Sequence, residues 1–568
     1  MVAAVLPLAQ KSWAATYYID CAATVPTFNG ALETPFQTLA QGNALQLAPG
    51  DSLLFKRGSV CKGELQPRGS GTAASPIHMG AYGDGSLPQI IAGPADPAVL
   101  HLTNQQFWEV QSLELSGATT YGIFVEAPTS LLQHIVLRDL LVHNIRGSLK
   151  HKESGLVVLH ATGKSGSFDD VLVDGVQAFN TTQWSGIFIA DAGHVQVRNS
   201  IVHDVQGDGI VVFRSHDAVI SRSLAWHTGM QHQQTIGTPN AIWTWRCTDC
   251  LVEENEAFLT DSPGVDGGAF DIDYGNARNT VQRNFGHDTV GYCISIFGAF
   301  GPTTASVVAD NLCLSNGLSP RLAERQGAIL LMTWQGGSID GLVIRNNRVE
   351  WDPPGGTPAV RSGADLQASG VVLSFNRIQT SGASIIDPLL KYVGEQNRYS
   401  IATSRPGDAE EANDRYLKLP EKNSTLTPSP GPGLIAGQTS TTEKKWSLIV
   451  TAATSSGSTD DSLRGTMIQL ISAALQFGHE GLQTKLLTNV DTGYFQTDWR
   501  LQADGIHIEH PAPGAALDFS VKLVSPTGAV IREWHRYPGP VDLGSALREN
   551  LGAPNFAFLP FEDVRATD

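Results

Sequence analysis

Residues 186–213 read GIFIADAGHVQVRNSIVHDVQGDGIVVF. Gly186 opens a short apolar run, a turn follows, a second run ends near Asn199, and at Gly209 the pattern starts again. Working outward, the opening run recurs at 122–126 (GIFVE), 155–159 (GLVVL), 241–245 (AIWTW), 269–273 (AFDID), 292–296 (YCISI) and 328–332 (AILLM). Spacings range from 23 residues (186 to 209) to 36 residues (292 to 328). The shorter spacing is one bare coil, and the excess lies in loops. Repetition of this kind outranks any local signal, because each unit can bury its apolar face only against its neighbours.

Side chains of a strand alternate faces, so the second and fourth positions of each run share one side and the third and fifth share the other. The second and fourth are nearly always apolar, as stacked strands filling a continuous interior require. The companion runs carry a ladder of turn-forming residues, Asp139, Asp174, Asn199, Asn255, Asn284, Asn311, Asn347 and Asn376, whose side chains can satisfy backbone groups at a bend. An antiparallel sandwich would show evenly spaced Asn-Gly or Asp-Gly hairpin turns, and few are present. The expected fold is all-β: a right-handed parallel β-helix, or solenoid.

The chain has 568 residues, 58 of them glycine, with 16% charged residues and a formal charge of -17. That length predicts two domains, and the composition suits many tight turns between short strands. The negative balance argues against nucleic acid as a partner. Residues 2–15 (VAAVLPLAQKSWAA) are too short and too interrupted to insert in a membrane; residues 1–15 resemble a signal-peptide remnant with cleavage before Thr16. A secreted or periplasmic location is expected, where the six cysteines can pair. Cys247 and Cys250 form one CxxC without a second, which fits a structural pair or buried thiols better than zinc or redox chemistry.

The solenoid is expected over 16–417. Thr34 reads as a helix N-cap with Pro35 in the first turn, giving an N-terminal capping helix over the open end. Residues 418–445, rich in Pro, Ser, Thr and Gly, read as a linker. A smaller β-rich C-terminal unit over 446–568, accessory or capping, combines a helical spacing (Leu463, Met467, Leu470, Ile471, Ala474, Phe477) with strands at 505–510, 517–524 and 529–534. Its aromatics Tyr494, Trp499, Trp534 and Tyr537 read as core more readily than as a sugar-binding face.

The segments TYYIDC (16–21), PFQTLA (35–40), PGDSLLFKRGSVCKGEL (49–65) and SPIHMGAYGDGSLPQI (75–90), with GGAFDIDYG (267–275) and NTVQRNFGHDTVGY (279–292), resemble secreted proteins of the pectate-lyase-like β-helix superfamily. The resemblance covers about 16–400 and implies a carbohydrate-active protein without naming the sugar.

Most coils place apolar groups at the outward third and fifth positions, but two consecutive coils present Trp243 with Trp245 and Asp271 with Asp273. Aromatic faces stack on sugars, and neighbouring carboxylates serve acid and base in glycosidic cleavage. Asp266, His287 and Asp288 are the further catalytic candidates. His232, Arg214 and Arg246 join Trp243 and Trp245 as candidate substrate ligands, the arginines either meeting a sugar carboxylate or pairing with aspartates. The aspartates also admit a plainer role, capping turns or binding calcium for stability.

Three functions compete. Glycoside hydrolysis by Asp271 and Asp273, aided by Asp266, is favoured and requires no cofactor. Calcium-dependent β-elimination on a uronate would use Asp266, Asp271 and Asp273 as calcium ligands, and the resemblance would make Arg214 or Arg246 its base. A non-catalytic polysaccharide binder would use the same tryptophans. The chain lacks the Asn-Thr-Asp and Arg-Ile-Lys of polygalacturonases, which argues against simple pectin hydrolysis. Nothing in the sequence sets the oligomeric state.

Overall fold

The computed structural model describes residues 14–401 except 231–236, 315, 320–321, 323–325, 353–355 and 382–383, and beyond 401 the backbone of strands between 411 and 535. The chain is a right-handed parallel β-helix, built from three files of short strands that pair in parallel from one circuit to the next. Its contacts divide it into two units: Met1–Gln196, Asp204–Gln206 and Val211–His216 form the first, and Val197–His203, Gly207–Ile210 and Asp217–Asp568 the second.

In the first unit a short helix, α1 (Leu39–Asn43), begins at Thr38, whose side chain accepts from the Gln41 backbone while the Gln41 side chain reaches back to the Thr38 N–H. The helix therefore starts later than the Thr34 cap expected from sequence. The physical reason is local: a residue before proline is pushed out of the helical region, and Phe36 pairs as an extended residue with Ile19. Thr38 and Gln41 then supply a complete capping box. Gly42 lets α1 sit close to its strand neighbour, since a Cβ there would lie 2.9 Å from Ile19 Cδ1.

Strands β1 (Ala98–Thr103), β2 (Tyr121–Glu126), β3 (Gly155–His160) and β4 (Ser185–Ala190) pair in that order. Their register aligns Leu100, Ile123, Val157 and Ile187, all fully buried. In the second unit β5 (Ile242–Trp245), β6 (Phe270–Ile272), β7 (Ile294–Ala299), β8 (Ile329–Trp334) and β9 (Val360–Ser362) follow the same plan. Ile242, Phe270, Ile294, Ile329 and Val360 form one inward row. Each such side chain contributes about 1.5–3 kcal/mol when fully buried.

One coil departs from the expected alignment. Ile294, rather than Cys293, pairs with Phe270, so the run begins at Cys293 and not at Tyr292. A one-residue slip exchanges the faces, and it turns Ser295 outward beside Asp271. The apolar requirement at positions two and four, met by Ile294 and Ile296, was the signal for the correct register.

The Asn ladder also needs correction. In the second unit Asn255, Asn284, Asn311, Asn347, Asn376 and Asn397 point inward, each about 1% exposed. From Asn255 to Asn376, the backbone N–H and Nδ2 of each donate to Oδ1 of the next, and Nδ2 also donates to a carbonyl near the core. Asp139 and Asn199 occupy the preceding, left-handed corner position, with φ of 50° and 54°. Asp174 precedes such a corner, which Gly175 takes at φ 67°. These three are not rungs; the two adjacent positions look alike in sequence, since Asn suits both a left-handed turn and a capping bond.

The six cysteines pair as Cys21–Cys61, Cys247–Cys250 and Cys293–Cys313. Toward the C-terminus Ser447–Thr454 pairs antiparallel with Leu517–Val524, which pairs antiparallel with Val530–His535, and His507–Glu509 adds a parallel edge. Strand positions 505–510, 517–524 and 529–534 are thus close to those read from sequence. The signal-like segment up to residue 13, the linker, the apolar helical spacing at 463–477, and Tyr494, Trp499 and Tyr537 lie outside the described residues.

Asn311→Ala would strip Asn284 of its acceptor and leave the Val281 carbonyl without its partner. The expected cost is about 2–4 kcal/mol, as buried polar groups lose their bonds. Urea denaturation checks it; an unchanged midpoint would show that the ladder carries no stability.

Candidate functional site

The outward row of the second unit begins with Trp243, Asp271, Ser295 and Leu330, aligned in register on β5 to β8. Asp271 is outward of the core, as its alternation predicts, yet only 2% exposed. Segments leading into the strands close over it. Ser295 Oγ donates to Asp271 Oδ1 at 2.6 Å, and Asn240 Nδ2 donates to Oδ2 at 3.2 Å. Asn240 is itself held: its N–H donates to Asp208 Oδ1, and its Oδ1 accepts from Tyr292 Oη at 2.8 Å and from the Gly268 N–H at 2.9 Å.

Burial raises the Asp271 carboxyl well above the usual carboxylate range, and the carboxylates of Asp273, Asp266 and Asp208 push it further, against a smaller opposing effect of Ser295. Tyr292 is also raised well above its ordinary value, first by burial and then by Asp266 and Asp271, so it remains a donor. Asp266 and Asp273 are half-buried rather than enclosed. Asp273 Oδ1 accepts the Tyr274 N–H at 2.7 Å, a bond that favours its charged form. Asp266 sits in a loop with φ 68°. Three of the sequence candidates, Asp266, Asp271 and Asp273, therefore converge, and Asp208 joins them.

The other candidates lie differently. Trp243 is 7% exposed, so the expectation that it offers a stacking face is corrected: its ring is buried. Trp245 is half-buried, with the Arg246 guanidinium 4.5 Å above its ring and Tyr274 edge-on at 5.3 Å. Arg214 and Arg246 do occupy equivalent left-handed corners, φ 50° and 47°. Arg214 is held by Asp191 in a two-pronged pair at 2.6 and 2.7 Å, so its partner is structural and is neither Asp271 nor Asp273. His232 lies outside the described residues.

His287 belongs to a different file of strands. Its Nδ1 meets Asp288 at 2.8 Å and its Nε2 meets Glu256 at 3.2 Å, with Phe258 and Phe285 stacked on the ring. Burial disfavours the charged ring, but the two carboxylates outweigh burial and raise its proton affinity. His287 and Asp288 thus form a buried ion cluster with Glu256. Ser295, Asn240 and Tyr292 were missed in the sequence: Ser295 and Tyr292 by the register slip, Asn240 because a loop residue carries no periodic signal.

Among the described residues no group of three His, Cys, Asp or Glu is placed to hold a metal ion, and no helix is long and apolar enough to cross a membrane.

A solenoid with a carboxylate cluster on its outer wall is the class that fold and site define. Residues 157–368 match the family model of the right handed beta helix region. The resemblance noted in the sequence therefore holds at the level of fold. Similar solved structures include a GH136 lacto-N-biosidase from Eubacterium ramulus, at 20% identity over 68% of each chain with a TM-score of 0.48. An alginate lyase from Paenibacillus sp. is 14% identical over 67% of this chain and 98% of its own, with a TM-score of 0.29. A DFA-IIIase from Arthrobacter chlorophenolicus A6 is 12% identical over 68% of this chain and 93% of its own, with a TM-score of 0.39. No curated protein matches the chain.

A raised carboxyl implies pH-dependent stability of definite sign. The protonated Asp271 of the folded state stabilises most fully below the unfolded carboxylate range, near about 3.9. That contribution is lost as pH rises through the folded value, with a slope of up to about 1.4 kcal/mol per pH unit. Urea midpoints from acid to neutral pH should therefore fall for the wild type relative to Asp271→Asn, which cannot titrate. Parallel curves for the two proteins would contradict a buried neutral Asp271.

Proposed function

We propose that this protein is a carbohydrate-active enzyme, a glycoside hydrolase that cleaves an oligo- or polysaccharide outside the cytoplasm. The observation that carries the reading is the carboxylate cluster: two half-buried aspartates, Asp266 and Asp273, beside a buried Asp271 whose proton affinity burial raises. Three disulfides support an oxidising compartment.

The roles follow from exposure and bonding. Asp271 has both oxygens engaged and is closed to a sugar, so it acts as a positioning group that keeps excess charge out of the cluster. Asp273, half-buried and held by the Tyr274 N–H, serves as base or nucleophile. Asp266, in the same negative field, serves as the acid that protonates the leaving oxygen. The reading moves the catalytic pair from Asp271 and Asp273 to Asp266 and Asp273.

The β-elimination alternative needs a cation opposite the uronate carboxyl. Arg214 is committed to Asp191, which leaves Arg246 as the nearer candidate, and calcium would have to be held by the aspartates themselves. The geometry favours hydrolysis over this reading.

Asp266→Asn and Asp273→Asn should each lower kcat by about 10²- to 10⁴-fold. Asp271→Asn, which replaces a neutral group by a neutral one, should lose roughly tenfold or less. A polysaccharide panel scored for new reducing ends and for absorbance of unsaturated uronates is the assay. Unsaturated products, or full activity in Asp273→Asn, would sink the proposal; binding without cleavage by the wild type would favour a non-catalytic role.

A further inference from the structure

Beyond Asp273 the second unit carries an aromatic surface that the acid cluster does not use. Tyr274 follows Asp273 directly and meets Phe300 and Trp334 edge-on, each at 5.7 Å. Phe300 is 64% exposed and Trp334 38% exposed. Single exposed aromatics need no explanation, but two that share a third residue make a contiguous apolar patch. The patch is also tied to the site. Trp334 packs edge-on against Phe297 at 5.5 Å, Phe297 against Tyr292 at 5.9 Å, and Tyr292 donates to the Asn240 that holds Asp271.

The charge beside this surface is predominantly acidic, although the exposed Arg246 also adjoins Tyr274 and Gly275. Asp208, Asp266 and Asp273 lie near Asp271, and the neighbouring cation, Arg246, lies against Trp245. A uronate seated on the patch would bring its carboxylate toward the aspartates, an unfavourable approach. The C–H face of an uncharged pyranose suits an aromatic surface and meets no such repulsion.

We propose that Tyr274, Phe300 and Trp334 form a stacking subsite for a neutral pyranose ring of the substrate, adjoining the carboxylates and selecting against uronates. The assignment of this ring to a substrate rests on the hydrolase reading. The subsite sets affinity and orientation, while the aspartates carry the chemistry.

The test measures binding to the full-length chain by tryptophan fluorescence and saturation-transfer NMR, in an Asp273→Asn background for the neutral probes and in the wild type, which keeps every aspartate, for the charged one. The probes are cellotetraose, mannotetraose, xylotetraose and chitotetraose, with tetragalacturonate as the charged comparison. At least one neutral tetrasaccharide should bind, and Trp334→Ala and Phe300→Ala should each weaken it about tenfold or more, as loss of an aromatic anchor does. Trp334→Phe and Phe300→Tyr, which keep an aromatic face, should stay within about threefold. Tighter binding of tetragalacturonate, no neutral probe bound, or alanine variants that change self-association instead of sugar affinity would each overturn the subsite. Cleavage is not part of this readout: a protein that binds neutral sugar through Trp334 yet cleaves none sinks the hydrolase reading and leaves the subsite standing.

Discussion

A chain that turns sharply at the rim of a dry interior must find partners for the backbone groups it exposes there. In the second unit that need is met by one file of buried asparagines, each donating to the next while reaching a carbonyl near the core. The residue before each rung is left-handed, and several of these, Glu254, Arg283, Asp310 and Phe375, are not glycine. Such a backbone costs about 1–2 kcal/mol per residue. Satisfied bonds in a low-dielectric interior offset that cost and hold every circuit to the same corner.

The repeated corner has a functional consequence. Because each circuit returns in register, a residue on one strand lies beside its counterparts on neighbouring strands, however long the loop between them. Asp271 and Ser295 are 24 residues apart in sequence and share a 2.6 Å bond. Asn240 and Tyr292, 52 apart, close over the same carboxyl. The solenoid thus acts as a ruler that brings residues of several loops together, as a rigid scaffold commonly does.

Two buried ionisable clusters in this unit are built on opposite logic. Around His287, a ring whose proton affinity is raised lies between the two carboxylates of Glu256 and Asp288, so opposite charges attract within the cluster. Around Asp271 burial and the neighbouring carboxylates of Asp273, Asp266 and Asp208 act in the same sense, raising the proton affinity of the most enclosed group. The first arrangement consolidates structure. The second sets a buried carboxyl of raised proton affinity beside two half-buried carboxylates, the kind of perturbed cluster that gathers at functional sites.

The solenoid was legible in the sequence because its core positions recur: GIFIA, GIVVF, AIWTW and AFDID all place apolar groups at the second and fourth positions, and burial of those groups leaves few alternatives. Asp271 and Asp273 stood out against that pattern for the same reason. Periodicity reports which face a side chain takes, not what covers it, so Trp243 and Asp271 looked accessible and are enclosed. It also leaves a one-residue ambiguity wherever both registers are tolerably apolar, which displaced Ser295 and mixed corner residues such as Asn199 with true rungs such as Asn255. Sequence alone determined the cylinder and the acidic patch on its wall, because alternation along a strand is a local property. Only the tertiary structure decided which carboxyl is buried among like charges, which arginine is already paired and which aromatics face solvent, because each depends on groups brought together from distant loops.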